Sequence, residues 1–366
     1  MGLFIFGSSS TGQGSTMTAE PTAYDYLARG RVFLTRGEFR TAIQDFDDAL
    51  RLNHDLPEAH YYRGLAYRNA GDFQGAIQDF TTAIELEPEY AVAYYARGVI
   101  RRHLGEYQQA VLDYTLAIDL APEDADFYYA RGVAEASMKR YETAIDDFIR
   151  AISLNPNLPN AWYNLGLAYR DLGHREKALE NYSQAITLRP NDADYYYARG
   201  NLLSDMHDYA RAVSDYSRAI QVAPGFANAF YNRGIAHRNM DEFGQAMDDF
   251  NEALKLGAAF ANLYHNRGVV FADLGDHQSA IEDFTGALVL DPGLANVYFA
   301  RGGSHAILNQ LDRAIEDFSA AIQIKPDYAE AYHARAMAYR AMGDEDSAQA
   351  DLQKCEGPSQ GPSQGS

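Results

Sequence analysis

A period of 34 residues runs through nearly the whole chain without an insertion or deletion, and it limits the fold more than any other feature. Counted from Ala23, units begin at residues 23, 57, 91, 125, 159, 193, 227, 261, 295 and 329. Position 8 of the unit is glycine in nine of ten, from Gly30 to Gly302, with Ala336 in the last. Position 20 is alanine in all ten, position 24 is Phe or Tyr in nine, and position 27 is alanine in nine. A unit this short buries its apolar side chains only against its neighbours, so the chain reads as a quasi-one-dimensional array.

Each unit reads as a helix, a short turn and a second helix. Positions 4, 7, 8 and 11 stand at helical spacing and predict the packing face of the first helix. Small residues at 8, 20 and 27 let two helix axes approach, with aromatics at 4 and 24 filling the gaps. Position 15 is often glycine (Gly37, Gly71, Gly105, Gly173, Gly275, Gly343), as expected just past a helix C-terminus. Proline at position 32 in seven units, from Pro88 to Pro326, stops the second helix.

The fifth unit, PNAWYNLGLAYRDLGHREKALENYSQAITLRPND, carries Trp162, Leu165, Gly166, Tyr169, Ala178, Tyr182, Ala185 and Pro190. With these residues the chain resembles the tetratricopeptide repeat family from residue 23 to about 356. The resemblance implies an all-α fold, a right-handed α-solenoid whose first helices line a concave groove and whose second helices form the convex back. Ala336 and Leu352, at positions 8 and 24, suit the tenth unit to a terminal cap. Residues 1–22 and 357–366 are rich in Gly, Ser, Pro and Gln and are expected to be flexible tails flanking the repeats at 23–356.

The formal net charge of −20 disfavours nucleic acid, whose phosphates need an excess of Lys and Arg. Cys355 is the single cysteine, which excludes an intrachain disulfide and a cysteine-based metal cluster. No apolar run approaches the roughly 18 residues of a membrane span, so no membrane association is expected. The opening MGLFIFGSSS has too short an apolar run for a signal peptide, and Phe6 breaks the myristoylation pattern. Met17 is a second candidate start. Cytoplasmic localisation follows as the expectation.

Arginine at position 7 departs from the family, which most often places an apolar residue there. It occurs in nine units: Arg29, Arg63, Arg97, Arg131, Arg199, Arg233, Arg267, Arg301 and Arg335. A ladder gripping an anionic ligand is one reading; neutralisation inside each hairpin is the other. Position 23 decides between them, because it is aspartate in the same nine units, and the one unit with Leu165 also has Asn181. Positions 7 and 23 are equidistant from the turn at 15, so they stand level in an antiparallel hairpin. The arginines are therefore expected to be structural.

Positions 2, 5, 6, 9, 12 and 13 of the first helix lie off the packing face and, in the family, line the groove. Position 5 is aromatic or histidine in nine units, including Tyr95, Tyr129, Tyr163, Tyr197 and Tyr231. Position 12 supplies Arg170 and Arg238, among others. Asn160 with Asn164, Asn228 with Asn232, and Asn262 with Asn266 are paired one helical turn apart. An amide offers donor and acceptor together, so such a row suits the backbone of an extended peptide. The candidate groove set is thus Tyr95, Tyr129, Tyr163, Asn164, Arg170, Tyr197, Tyr231, Asn232, Arg238 and Asn266.

The lysines that clamp chaperone tails in some family members are missing from position 5. Arg101 and Glu135, both at position 11, are expected to pair across the stack, and Trp162 is expected in the core. A phosphate-loop reading of LFIFGSSSTGQGST fails because Gln13 stands where lysine is required. The histidines show no metal-ligand spacing, and no nucleophile, base and oxyanion donor converge. The expectation is a non-enzymatic interaction scaffold without cofactor or metal, binding a protein or peptide partner in its groove. The alternative is a structural solenoid that oligomerises with copies of itself through stacked repeats or end helices.

Overall fold

The computed structural model describes residues 20–355. The expected tails lie outside those residues, apart from Glu20 to Thr22. No strand occurs among the described residues, which divide into two compact units that part between Leu172 and Gly173.

In the first unit, α1 (Ala23–Thr35), α3 (Pro57–Ala70), α5 (Ala91–His103), α7 (Ala125–Ser137) and α9 (Pro159–Asp171) are first helices of the repeat. They alternate with α2 (Phe39–Leu52), α4 (Phe73–Leu86), α6 (Tyr107–Leu120) and α8 (Tyr141–Leu154). The second unit alternates α10 (Arg175–Leu188), α12 (Tyr209–Val222), α14 (Phe243–Lys255), α16 (His277–Leu290), α18 (Leu311–Ile324) and α20 (Glu345–Cys355) with a set of first helices. Those are α11 (Ala193–Asp205), α13 (Ala227–Asn239), α15 (Ala261–Asp273), α17 (Ala295–Ile307) and α19 (Ala329–Met342).

The residue at position 15 turns left-handed whether or not it is glycine. Gly37 has φ +79°, and Lys139, His207, Asp241 and Asn309 have φ between 58° and 61°. The tight connection requires this backbone, and four units adopt it with a side chain at a cost. The seventh unit has Ala258 in place of proline; there Gly257, at φ +88°, ends α14 one residue early.

The inner layer confirms the small-residue logic. A Cβ added at Gly98 would lie 2.7 Å from Cε1 of Tyr114, and one at Gly268 would lie 2.8 Å from Cε1 of Phe284. Glycine at position 8 is thus where the position-24 ring of the same hairpin rests. In the tenth unit the smaller Leu352 accompanies Ala336, so the two positions change together.

The expected packing face of the first helix needs correction. Positions 3 and 10 are buried as well as position 8: Ala59, Ala93 and Ala161 are fully buried, as are Ala66, Ala134 and Ala236. Ala59 packs on Ala49 and Leu50 of the preceding repeat, and Ala134 on Ala110 and Tyr114. A helix in a stack meets two neighbours, and the 4/7/8/11 spacing registers only the one inside its own hairpin. At the two ends these stacking surfaces turn polar. Asp25 occupies position 3 of α1, and exposed Gln349 stands where interior units have Ile, Val, Leu or Met.

Candidate protein-binding groove

Within each unit, neighbouring first helices approach one another more closely than neighbouring second helices do. The layer of first helices is therefore the tighter, concave side, and the candidate side chains stand on it.

The arginines at position 7 do not serve that surface. All nine form two-pronged pairs with their aspartates. Arg131 Nε and Nη2 donate to Asp147 at 2.9 and 2.7 Å, and Arg267 donates to Asp283 at 2.7 and 2.7 Å. The aspartates are buried, with Asp113 1% and Asp147 6% exposed. The bond to Asp147 holds the Arg131 guanidinium above its ordinary pKa, against the opposite pull of burial. The position-4 ring supports many of these guanidinium groups, with Arg131 Cζ 5.7 Å from the Tyr128 centroid.

The third prong was not anticipated. Nη1 donates to position 25 of the preceding repeat: Arg63 to Asp47, Arg97 to Thr81, Arg131 to Thr115, Arg233 to Ser217 and Arg267 to Asn251. Each arginine from Arg63 onward thus ties its own hairpin and staples it to the one before. A signal for this was present. Position 25 before an arginine always offers an oxygen acceptor, whereas the residue preceding the Leu165 repeat is Ile149. Leu165 itself is buried among Ile145, Phe148 and Ala168.

Arg101 and Glu135 do not pair. Arg101 Nη1 donates instead to Asp113 at 2.9 Å, and Glu135 pairs with Arg140 at 3.3 Å. Position 11 leans toward its own second helix, where each finds a nearer opposite charge. Trp162 is half-buried, and its Nε1 donates to the Pro156 carbonyl at 3.0 Å.

The position-5 rings are half-buried. Tyr95 packs 5.8 Å from Tyr114 and 4.9 Å from Phe127; Tyr231 packs 6.0 Å from Phe250 and 4.8 Å from Phe260. Tyr129 lies 6.1 Å from Phe148, Tyr197 lies 6.0 Å from Tyr216, and Tyr163 is likewise half-buried. Their faces belong to the core, and a position-6 asparagine of the next repeat takes up three of the hydroxyls, those of Tyr129, Tyr197 and Tyr231. Asn164 Nδ2 donates to the Tyr129 hydroxyl at 3.3 Å, Asn232 to Tyr197 at 3.0 Å and Asn266 to Tyr231 at 2.9 Å. Each link joins one repeat to the next.

The second amide hydrogen is also engaged. Asn164 and Asn266 donate to the carbonyls of Asn160 and Asn262 at 2.8 Å, while Asn232 donates to Asn201 Oδ1 at 2.8 Å. Arg238 Nη1 donates to Asn266 Oδ1, and Arg170 is turned to Asp171 at 2.7 Å. Burial raises the Tyr231 phenol pKa, against the lowering effect of Asn266, so the hydroxyl keeps its proton. Tyr197 and Tyr231 accept from asparagine and retain a hydrogen to donate. Asn164 and Asn232 retain an amide oxygen to accept. Within the second compact unit, Tyr197, Tyr231 and Asn232 therefore offer both hydrogen-bond senses, as a peptide backbone requires, with the phenol rather than the amide as donor. Asn201 at position 9 belongs to this network and was not among the candidates; one unit with asparagine at a position usually apolar was its only signal.

Stacked helical hairpins with a short connection and a groove along their first helices define an α-solenoid of two-helix repeats. A profile described as Tetratricopeptide repeat matches residues 27–91, 63–125, 197–263 and 237–295, and one described as TPR repeat matches 134–173, 166–207 and 304–343. Together they span most of the sequence, and the chain belongs to the tetratricopeptide repeat family. No curated protein matches it. Among solved structures it is similar to YrrB, described as a TPR protein with an unusual peptide-binding site. That match has 26% identity and a TM-score of 0.44, covering 48% of this chain and 90% of that one. It is similar also to MamA from Desulfovibrio magneticus, with 26% identity, a TM-score of 0.44, and 46% and 95% coverage. A tetratricopeptide repeat protein from Parabacteroides merdae matches at 19% identity and a TM-score of 0.50, covering 68% of this chain and 98% of that one. Among the described residues no helix is long and apolar enough to cross a membrane, and no group of His, Cys, Asp or Glu is arranged to hold a metal.

Proposed function

We propose that the chain is a non-enzymatic protein–protein interaction scaffold that holds an extended peptide or helix of a partner protein along its first helices. The asparagine-to-tyrosine links carry this reading. In the second compact unit they present the phenol donors of Tyr197 and Tyr231, one repeat apart, and the amide acceptor of Asn232, an arrangement that suits a backbone rather than a compact ligand. The net charge of −20 argues against nucleic acid as the partner, and the single cysteine is compatible with the cytoplasm. Stacking of copies end to end is the weaker reading, because it would bury Asp25 and Gln349 where interior repeats place apolar side chains.

A peptide array probed with the purified chain and with Asn164→Ala, Asn232→Ala and Asn266→Ala tests this. Asn164→Ala and Asn232→Ala each remove an amide acceptor worth about 0.5–1.5 kcal/mol and should weaken bound peptides roughly two- to tenfold, whereas Asn266→Ala, whose oxygen is already taken by Arg238, should cost less. Affinities unchanged in the triple variant would refute it.

A further inference from the structure

We propose that the groove over α3, α5 and α7 takes an acidic side chain of the bound peptide, its carboxylate held by Arg102 and Arg68 above the Tyr114 phenol. This rests on the groove reading above and names the chemistry of one stretch of it.

The inference comes from a mismatch at the groove floor. Position 24 is tyrosine in the third, fifth and sixth repeats, and all three side chains are essentially fully buried; the third and sixth differ in what meets the hydroxyl. In the sixth, the Tyr216 hydroxyl donates to Asn201 Oδ1 at 2.9 Å, from position 9 of its own repeat. Ser204, at position 12, also bonds to it. In the third repeat those two places are held by Val99 and Arg102. Valine accepts nothing, and arginine only donates. Arg102 lies close enough to donate to the Tyr114 oxygen, but the Tyr114 hydroxyl hydrogen and Arg102 Nε are buried and have no acceptor. Two donors lie together and the acceptor is missing.

The charges around this point agree. Other position-12 arginines are matched: Arg170 to Asp171, Arg238 to Asn266 and Arg340 to Glu345. Among the described residues Arg102 makes no ion pair, and Arg68 reaches Asn69 Oδ1, at 3.4 Å. Both arginines lie near enough to the Tyr95 phenol to lower its pKa, against the larger effect of burial. Asp124 and Asp126 also face Tyr95, but Asp124 accepts from the Asp126 backbone at 2.9 Å as the cap of α7. Burial holds the Tyr114 pKa up at about 12, so the phenol stays a donor.

A carboxylate answers this arrangement. Its two oxygens match the planar guanidinium fork, and a rotation of half-buried Arg102 lets the phenol donate to the same group. A neutral amide brings one acceptor and a further donor, which repeats the mismatch.

The test uses the whole chain and peptide libraries of about twelve residues with Glu or Gln fixed at the centre, each with free and amidated C-termini. The expected result is a preference for Glu of about tenfold or more at low salt, held with amidated ends, lost in Arg102→Ala, reduced in Tyr114→Phe and kept in Tyr216→Phe. A preference that follows the free C-terminus assigns the site to a chain end and overturns the side-chain reading. Equal binding of Glu and Gln, or a preference surviving Arg102→Ala, overturns the site while leaving the groove reading intact. No binding of any library removes both. In the ligand-free chain, Tyr114→Phe should raise the urea midpoint and Tyr216→Phe lower it. A fall for Tyr114→Phe would mean that its hydroxyl is already satisfied, and the site would be lost.

Discussion

Arg131, Asp147 and Thr115 offer the cleanest test of the pairing that holds each hairpin to itself and to its neighbour. Arg131→Leu strips both partners from the Asp147 carboxylate, which is 6% exposed, and an unpaired buried charge costs about 3–5 kcal/mol. Thr115 loses less, because its hydroxyl also donates to the Val111 carbonyl at 2.8 Å. Asp147→Asn leaves a guanidinium that is 23% exposed and still bonded to Thr115, for a cost of about 1–3 kcal/mol. The double variant reproduces the pairing of Leu165 with Asn181 in the fifth repeat and should cost no more than about 2 kcal/mol. Coupling of at least about 2 kcal/mol follows. Urea unfolding followed by circular dichroism measures it, with amide hydrogen exchange locating the loss to α7 and α8. Additivity within about 0.5 kcal/mol would refute the reasoning. Adding Thr115→Ile completes the fifth-repeat pattern and should not worsen the double variant. At Arg97 the cycle should give less, because Arg101 stays 2.9 Å from Asp113 after Arg97 is removed.

Three further outcomes follow from single positions. Gly268→Ala drives a Cβ to 2.8 Å from the Phe284 ring and should cost about 1–3 kcal/mol; adding Phe284→Leu, as in the Ala336–Leu352 pair, should recover part of the loss in Tm. Lys139→Gly removes a side chain from a residue at φ +60° and should gain about 1 kcal/mol, whereas Lys139→Ala should gain nothing. His265 is held below its ordinary pKa by burial first and by Arg238 second. As pH falls through 6.5, the unfolded chain takes a proton that the folded chain resists, so stability drops until the lower folded pKa is passed. His265→Phe, matching Phe299 one repeat on, should remove that acid-side loss and leave stability above pH 6.5 flat in this component; an unchanged pH profile would contradict it.

Much of the hairpin was legible because its contacts fall at constant separations. The 16-residue offset between Arg and Asp, with Leu165 and Asn181 as the joint exception, is a contact written in the chain. The stop at proline and the turn at position 15 are local backbone chemistry and needed no fold to read. Lys139 and His207 show that the turn geometry outranks residue preference once the two helices are packed.

The groove was less legible. Helical periodicity tells which side chains share a face, but not which neighbour that face meets. The position-5 tyrosines were read as facing a partner. Stacking turns their rings onto the position-24 aromatics and leaves the hydroxyl to the next repeat's asparagine. The three asparagines were read as free donors and acceptors, yet both amide hydrogens of each are used within the chain. Val99 and Arg102 are unremarkable in sequence. Only their placement over a buried phenol shows that a donor there lacks an acceptor. The sequence by itself determined the repeat, its helices and the pairs inside each hairpin, because these depend on offsets along one chain. The tertiary structure decided which polar atoms remain for a partner, because that depends on what the adjacent repeat has already taken.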